Sequence, residues 1–350
     1  MTLPVAVPPP SAFLARALSV VRDPVATFRL HPADGAHVAE GERVAAGQPI
    51  AERCRETVLL EVPARGELLD LAPGAAIDPA FLAGGFLNRT PVQPGDRARL
   101  LDVGPDGTAR VALGRAPEVV LSPIAGVVTE VGPGRIVVHA EGTGLAGRIG
   151  WGEPVHGRIV LGVPSPDAEL RAAAIDIAAA GSILVAGARV DIEALTRARA
   201  IGVAGIVCGG IVGRELAQLA GSDLRQRAAL NVAAPFALIA LDGYGRRIVP
   251  EPVWERLAAA EGSVAGLLPD AKLIVLAPDA PTPPTPADTA GMALLTAGES
   301  AGRVVRLVGL AGPVRMGAAG YQPAGFIEEA SPDGEVRRRI VPLADLERLG

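Results

Sequence analysis

Between His31 and about Val163 no stretch of the chain holds one pattern for long. Runs of β-branched residues are cut by glycine, proline or aspartate about every ten residues, the spacing of an all-β module. VAEGERVAAGQPIA (residues 38–51) alternates apolar and polar positions around Gly41 and Gly47. SPIAGVVTEVGPGRIVV (122–138) does the same around Gly126, Gly132 and Gly134. Before it, residues 1–28 read as a proline-rich start and a short helix over 12–21.

From Ser165 the period changes. Ser165 is placed to cap a helix, with Pro166 at its first position and Asp167 and Glu169 in its first turn. Strands over 182–187, 204–209, 235–241 and 272–277 then alternate with helices over 191–202, 213–229 and 251–262. This alternation predicts right-handed crossovers and an open, mostly parallel α/β domain over 164–277. Residues 278–291 (PDAPTPPTPADTAG) break all periodicity and read as an extended proline-rich linker. Residues 292–350 return to strands over 302–310, 325–330 and 335–343. Asp333-Gly334 is a hairpin signal between the last two, and the segment reads as a small SH3-like or KOW-like β-barrel. The expected fold class is α+β and multi-domain.

Composition limits the chemistry. With 49% hydrophobic and 20% charged residues the chain has material for sizeable cores. Lys272 is its only lysine, so lysine-borne cofactors and Schiff-base chemistry have almost no foothold. The formal net charge of −5 disfavours nucleic acid or an anionic membrane as the main partner. Cys54 and Cys208 stand far apart without a CxxC, which fits a reducing compartment. No secretory leader or membrane-spanning run is read, so cytoplasmic location is expected.

The segments DGAHVAEGERVAAGQPIA and TVLLEVPARGELL resemble the two halves of a biotinyl/lipoyl domain, and SPIAGVVTEV resembles a second copy of the latter half. The resemblance implies a split or duplicated barrel-sandwich hybrid over 29–163, with an insertion at about 75–115. It also implies an inward-pointing Val44 and tight turns at Gly41 and Gly47. The family's acceptor lysine would fall at Thr57, which cannot take an amide-linked cofactor, so neither lipoyl nor biotin is expected. The order of parts, with ALTRARAIGVAGIVCGGI and IVPLADLERL, resembles an uncharacterised bacterial family with a KOW-like C-terminus. That family offers no catalytic residue to carry over.

Two loops of the α/β segment are candidate ligand sites. In CGGIVGREL, Gly210 and Gly213 match the last two glycines of a G-x-G-x-x-G turn between strand and helix, Gly209 stands beside them, and Arg214 can clamp an oxyanion. In DGYGRR, Asp242 can accept from a hydroxyl and Tyr244 can stack. These six residues form one crevice only if their strands are adjacent or flank a switch in strand order. Packing is the competing explanation for the glycines. His31, His37, His139 and His156 show no metal-ligand spacing, and neither a nucleophile elbow nor a P-loop occurs. No cofactor or metal is therefore expected.

The sequence leans towards a non-catalytic scaffold or adaptor that assembles with protein partners or with itself. One alternative is an enzyme or sensor for a nucleotide or phosphorylated small molecule at the crevice. Another is a KOW-type RNA-, ribosome- or transcription-associated factor. The balanced charges of the C-terminal segment, which include Arg337, Arg338 and Arg339, speak against the last.

Overall fold

A computed structural model describes residues 15–16, 20–64, 66–79, 95–132, 134–230, 235–280, 291–317, 320–330 and 334–349. The chain divides into two compact units, one of Met1–Arg22 with Gly142–Gly350 and the other of Asp23–Glu141. It is mostly β, with 49% of residues in strands, 17% helical and three α-helices among the described residues.

The larger unit is built on a nine-stranded sheet. Its strands in chain order are β1 (Val20–Arg22), β2 (Thr143–Ala146), β3 (Ile149–Gly152), β4 (Val155–Leu161), β5 (Ile183–Val185), β6 (Gly205–Cys208), β7 (Ala237–Ala240), β8 (Val264–Leu268) and β9 (Leu273–Leu276). Across the sheet they lie in the order β3-β7-β6-β5-β4-β8-β9-β2-β1. Helices α1 (Ile192–Ile201), α2 (Gly213–Leu230) and α3 (Glu251–Ala259) stand where the helical period placed them. Asp191 caps α1 by accepting from Ala194 N at 2.8 Å, and Gly202 ends it in the left-handed region at φ +88°.

The expected open, mostly parallel α/β domain is corrected by this sheet. Only β4-β5, β5-β6 and β6-β7 pair in parallel. The other five pairings are antiparallel. The sheet is a curled half-barrel. Each parallel strand is added on the same side of the one before, so α1 and α2 cover one face. There Leu195 and Leu219 pack with Leu184, Ile206 and Leu238. The opposite face is covered by the curvature itself, as Leu145, Leu267, Ile274 and Leu276 from the antiparallel strands meet Ile183, Val185, Val207 and Ile239, with Leu257 of α3. Gly150 in edge strand β3 shows how tight the curl is. A Cβ there would stand 1.9 Å from Pro269 O, at the turn between β8 and β9.

The helix expected after Ser165 does not form. Ser165 Oγ donates instead to Asp167 Oδ1 at 2.6 Å, and Glu169–Leu170 is a short strand paired with Arg189–Val190. The helix expected over 12–21 is also replaced, in its described part, by the strand Ala15–Arg16 and the start of β1. The proline linker falls largely on residues 281–290, outside the described residues.

The remaining strands of this unit are β10 (Met292–Leu295), β11 (Val304–Arg315), β12 (Tyr321–Ala330), β13 (Val336–Pro342) and β14 (Leu346–Leu349). They form a six-stranded sheet in the order Ala15–Arg16, β14, β10, β11, β12, β13. The hairpin signal holds, since β12 and β13 pair antiparallel with Ala330 opposite Val336.

The smaller unit contains a four-stranded sheet, ordered Val25–Arg29, Arg135–Ala140, Gly126–Gly132, Arg43–Val44. It also contains a five-stranded sheet, ordered Gly35–Ala36, Pro49–Pro63, Thr108–Leu121, Arg97–Val103, Ala76–Ile77. Val44 is buried, and Gly41 and Gly47 both turn the chain at φ +83°. Thr57 is not presented as an acceptor residue would be. An acceptor residue needs a tight turn, but Thr57 lies within the 15-residue strand Pro49–Pro63, opposite Gly114. The segment read as an insertion supplies Ala76–Ile77, Arg97–Val103 and part of Thr108–Leu121 to that same sheet. No helix among the described residues is long and apolar enough to cross a membrane.

Candidate functional site

Strands β6 and β7 are adjacent and parallel, so the loops that follow them leave the same edge of the sheet. The two loops do not part. Leu241 N donates to Cys208 O at 2.8 Å and Asp242 N to Gly209 O at 2.7 Å. The pairing continues from Ile211 N to Gly243 O at 3.2 Å and from Gly245 N to Ile211 O at 2.9 Å. Strand pairing thus runs on into the turns and leaves no crevice between the two loops.

The glycines are accounted for by that contact. A Cβ on Gly209 would stand 1.7 Å from Arg247 O, and one on Gly210 would stand 2.4 Å from Gly245 O. Only a residue without a side chain lets residues 245–247 cross so close. Gly213 has room, since its Cβ position is 3.7 Å from the Tyr244 ring. That ring lies over the start of α2 and is 61% exposed. Arg214 is exposed and has no side-chain partner among the described residues.

The amino end of α2, a candidate anion site in the sequence, holds an anion from the chain itself. Glu215 is buried in the first turn, and its Oε1 accepts from Arg189 Nη2 at 2.6 Å. A carboxylate there satisfies the partial positive charge of the helix start. A second anion would be repelled by it. Glu215 also adds to the effect of burial on the neighbouring Cys208 thiol, which is pushed up to about 12. Burial, with the charges of Asp34 and Glu52, pushes the Cys54 thiol to about 11. Neither is a thiolate nucleophile at neutral pH.

Asp242 faces elsewhere. Its Oδ1 lies 3.6 Å from Arg148 Nε, and it lines a cavity of about 220 Å³ with Arg246, Arg247, Ile248, the end of β10 at Leu294 and Leu295, and the loop 296–302. Arg214 and Tyr244 do not line that cavity. The six candidate residues are therefore brought to one sheet edge but not to one site. Sequence reasoning missed Glu215, Arg189, Arg247 and the loop 296–302. Arg247 is the last residue of the DGYGRR motif, whereas the others lie far along the chain from the residues they meet.

His31, His37 and His139 belong to the smaller unit and His156 to β4. Among the described residues no group of three or more histidine, cysteine or acidic side chains is placed to hold a metal ion. No family model, no curated protein and no solved structure matches the chain.

Proposed function

We propose that the protein is a non-catalytic assembly protein that associates with a second copy of itself through the outer face of β12 and β13. The observation that carries this reading is the pattern of that face. Val336, Arg338 and Ile340 alternate outward along β13, and their neighbours on β12 are Ala330, Glu328 and Phe326. Val336 is 64% and Ile340 44% exposed. Between the two apolar pairs sits an ion pair, Arg338 Nη2 to Glu328 Oε1 at 2.6 Å.

Such a face is complementary to itself. A two-fold axis running along the strands sets Glu328 of one copy against Arg338 of the other, Phe326 against Ile340 and Ala330 against Val336. Large apolar side chains left on a sheet face are the usual mark of a protein contact. A polyanion is a poorer fit, because the arginines of β13 are already near acids. Arg339 reaches Glu329 at 2.7 Å, and Arg337 reaches Glu335 at 4.0 Å.

Light scattering after gel filtration tests the reading. The protein should run at twice its sequence mass, Ile340→Glu and Glu328→Arg should each give monomer, and the double swap Glu328→Arg/Arg338→Glu should restore the dimer. A wild-type monomer at all concentrations, or a dimer that survives Ile340→Glu, would refute it. The cavity beside Asp242 favours a second, separate property.

A further inference from the structure

The loop that closes the cavity is pinned at both ends. Thr296 N donates to Asp345 O at 2.9 Å, Gly302 N to Leu295 O at 2.7 Å, and Glu251 N to Gly302 O at 2.9 Å. Gly302 sits at φ +89° with its Cβ position 2.6 Å from Ile248 Cγ2, so glycine is required where the loop meets the segment before α3. Leu294 and Leu295 are buried beneath. Between the pins, Ala297 and Gly298 line the cavity, and their amide groups have no acceptor among the described residues.

The two arginines of the cavity differ. Arg246 is committed, with Nε on Glu169 Oε1 at 3.0 Å and Nη2 on Asp167 O at 2.6 Å. Arg247 is held only at its root. Its Nε donates to Tyr244 O at 3.2 Å, its stem packs where a Gly210 side chain would be, and both terminal nitrogens lack a partner among the described residues. A guanidinium fixed at Nε and open at both Nη atoms is a fork already oriented for an oxyanion.

Asp242 lines the same cavity and sets a second requirement. Its carboxylate, already beside Arg148 Nε at 3.6 Å, keeps lone pairs to accept a hydroxyl, and its negative charge disfavours a bare anion. A ligand with an anionic group and a hydroxyl meets both. Two Nη atoms and two free amides suit the three terminal oxygens and double charge of a phosphate better than a carboxylate.

We propose that this cavity binds a small hydroxylated phosphate ester, with the phosphate on Arg247 and the amides of Ala297 and Gly298 and a hydroxyl donating to Asp242. Calorimetric titration of the full chain with ribose 5-phosphate, glycerol 3-phosphate, inorganic phosphate and malate tests it. The two esters should bind more tightly than phosphate or malate. Arg247→Ala should weaken them roughly 10- to 100-fold, as the loss of charge-assisted hydrogen bonds does. Asp242→Asn should let inorganic phosphate approach the esters, and Arg214→Ala should change nothing. The Arg247 side chain is exposed and makes one hydrogen bond, so its alanine variant is expected to keep the wild-type melting temperature without ligand. Should it not fold, Arg247→Lys, which keeps the charge and loses the fork, carries the same expectation. Absence of binding by both esters, undiminished binding in either Arg247 variant, or malate binding as tightly as the esters would overturn the assignment. Since the readout is affinity, its failure is distinct from a failure of the dimer.

Discussion

Glu215 Oε1 lies 2.6 Å from Arg189 Nη2, and through this pair the start of α2 is neutralised from within the fold. The contact uses one arm of each group. Glu215 Oε2 and Arg189 Nε are buried without a hydrogen-bond partner among the described residues. The Glu215 side chain is 8% exposed and the Arg189 side chain 30%, so loss of either partner should not cost the same.

Arg189→Ala leaves a buried carboxylate without its counter-ion, whereas Glu215→Ala leaves a guanidinium that water can reach. The first should therefore destabilise more, by about 2–4 kcal/mol against about 1–2 kcal/mol for the second. Urea unfolding of both variants and of the double variant checks the order, and a coupling near zero would show that the pair does not act as one.

The glycines of the α2 turn separate packing from binding. Gly209→Ala puts a methyl group 1.7 Å from Arg247 O and should cost about 2 kcal/mol or more, because backbone must move. Gly213→Ala meets only the Tyr244 ring at 3.7 Å and should be neutral or slightly stabilising at a helix start. Thermal melts of the two variants measure this. Equal effects would contradict the close crossing.

In the smaller unit, hydrogen bonds from Arg97 Nε at 2.9 Å and Nη2 at 3.0 Å hold the Glu52 carboxyl below its ordinary value, against a smaller opposing effect of burial. A carboxylate depressed in the folded state binds fewer protons there than in the unfolded chain. Its contribution is complete above the unfolded value of about 4.3 and is lost as pH falls through the folded one. Glu52→Gln should therefore flatten the acid limb of the stability curve below about pH 5 and leave its slope at neutral pH unchanged. Denaturant midpoints measured across that range decide it.

The elements legible in the sequence were those with a local signature. The Asp191 cap and Gly202 stop framed α1, and the apolar runs gave β5, β6 and β7. What local pattern does not encode is the direction of a partner strand. Leu273–Leu276 has the apolar run of a buried parallel strand, yet it runs antiparallel to both neighbours, because the curl buries it on the concave side. Thr143–Ala146 and Ile149–Gly152 carry the short glycine-bounded pattern of the preceding β segment but complete the nine-stranded sheet. At the candidate site, the glycine turn was visible while its occupant was not. Glu215 stands in the same phrase, CGGIVGREL, but its counter-ion Arg189 is 26 residues away.

The pairing of Ala15–Arg16 with Leu346–Leu349, and of Val20–Arg22 with Thr143–Ala146, has a consequence for synthesis on the ribosome. Asp23–Glu141 is a continuous stretch with its own sheets and can fold as soon as it emerges. The segment before it has to wait, since one of its strands finds its partner only after residues 346–349 have been made. Long-range pairings of this kind are slow to close and leave strand edges open meanwhile. Nascent chains stalled before β14 should therefore protect residues 23–141 from protease while the flanking sequence is still cleaved.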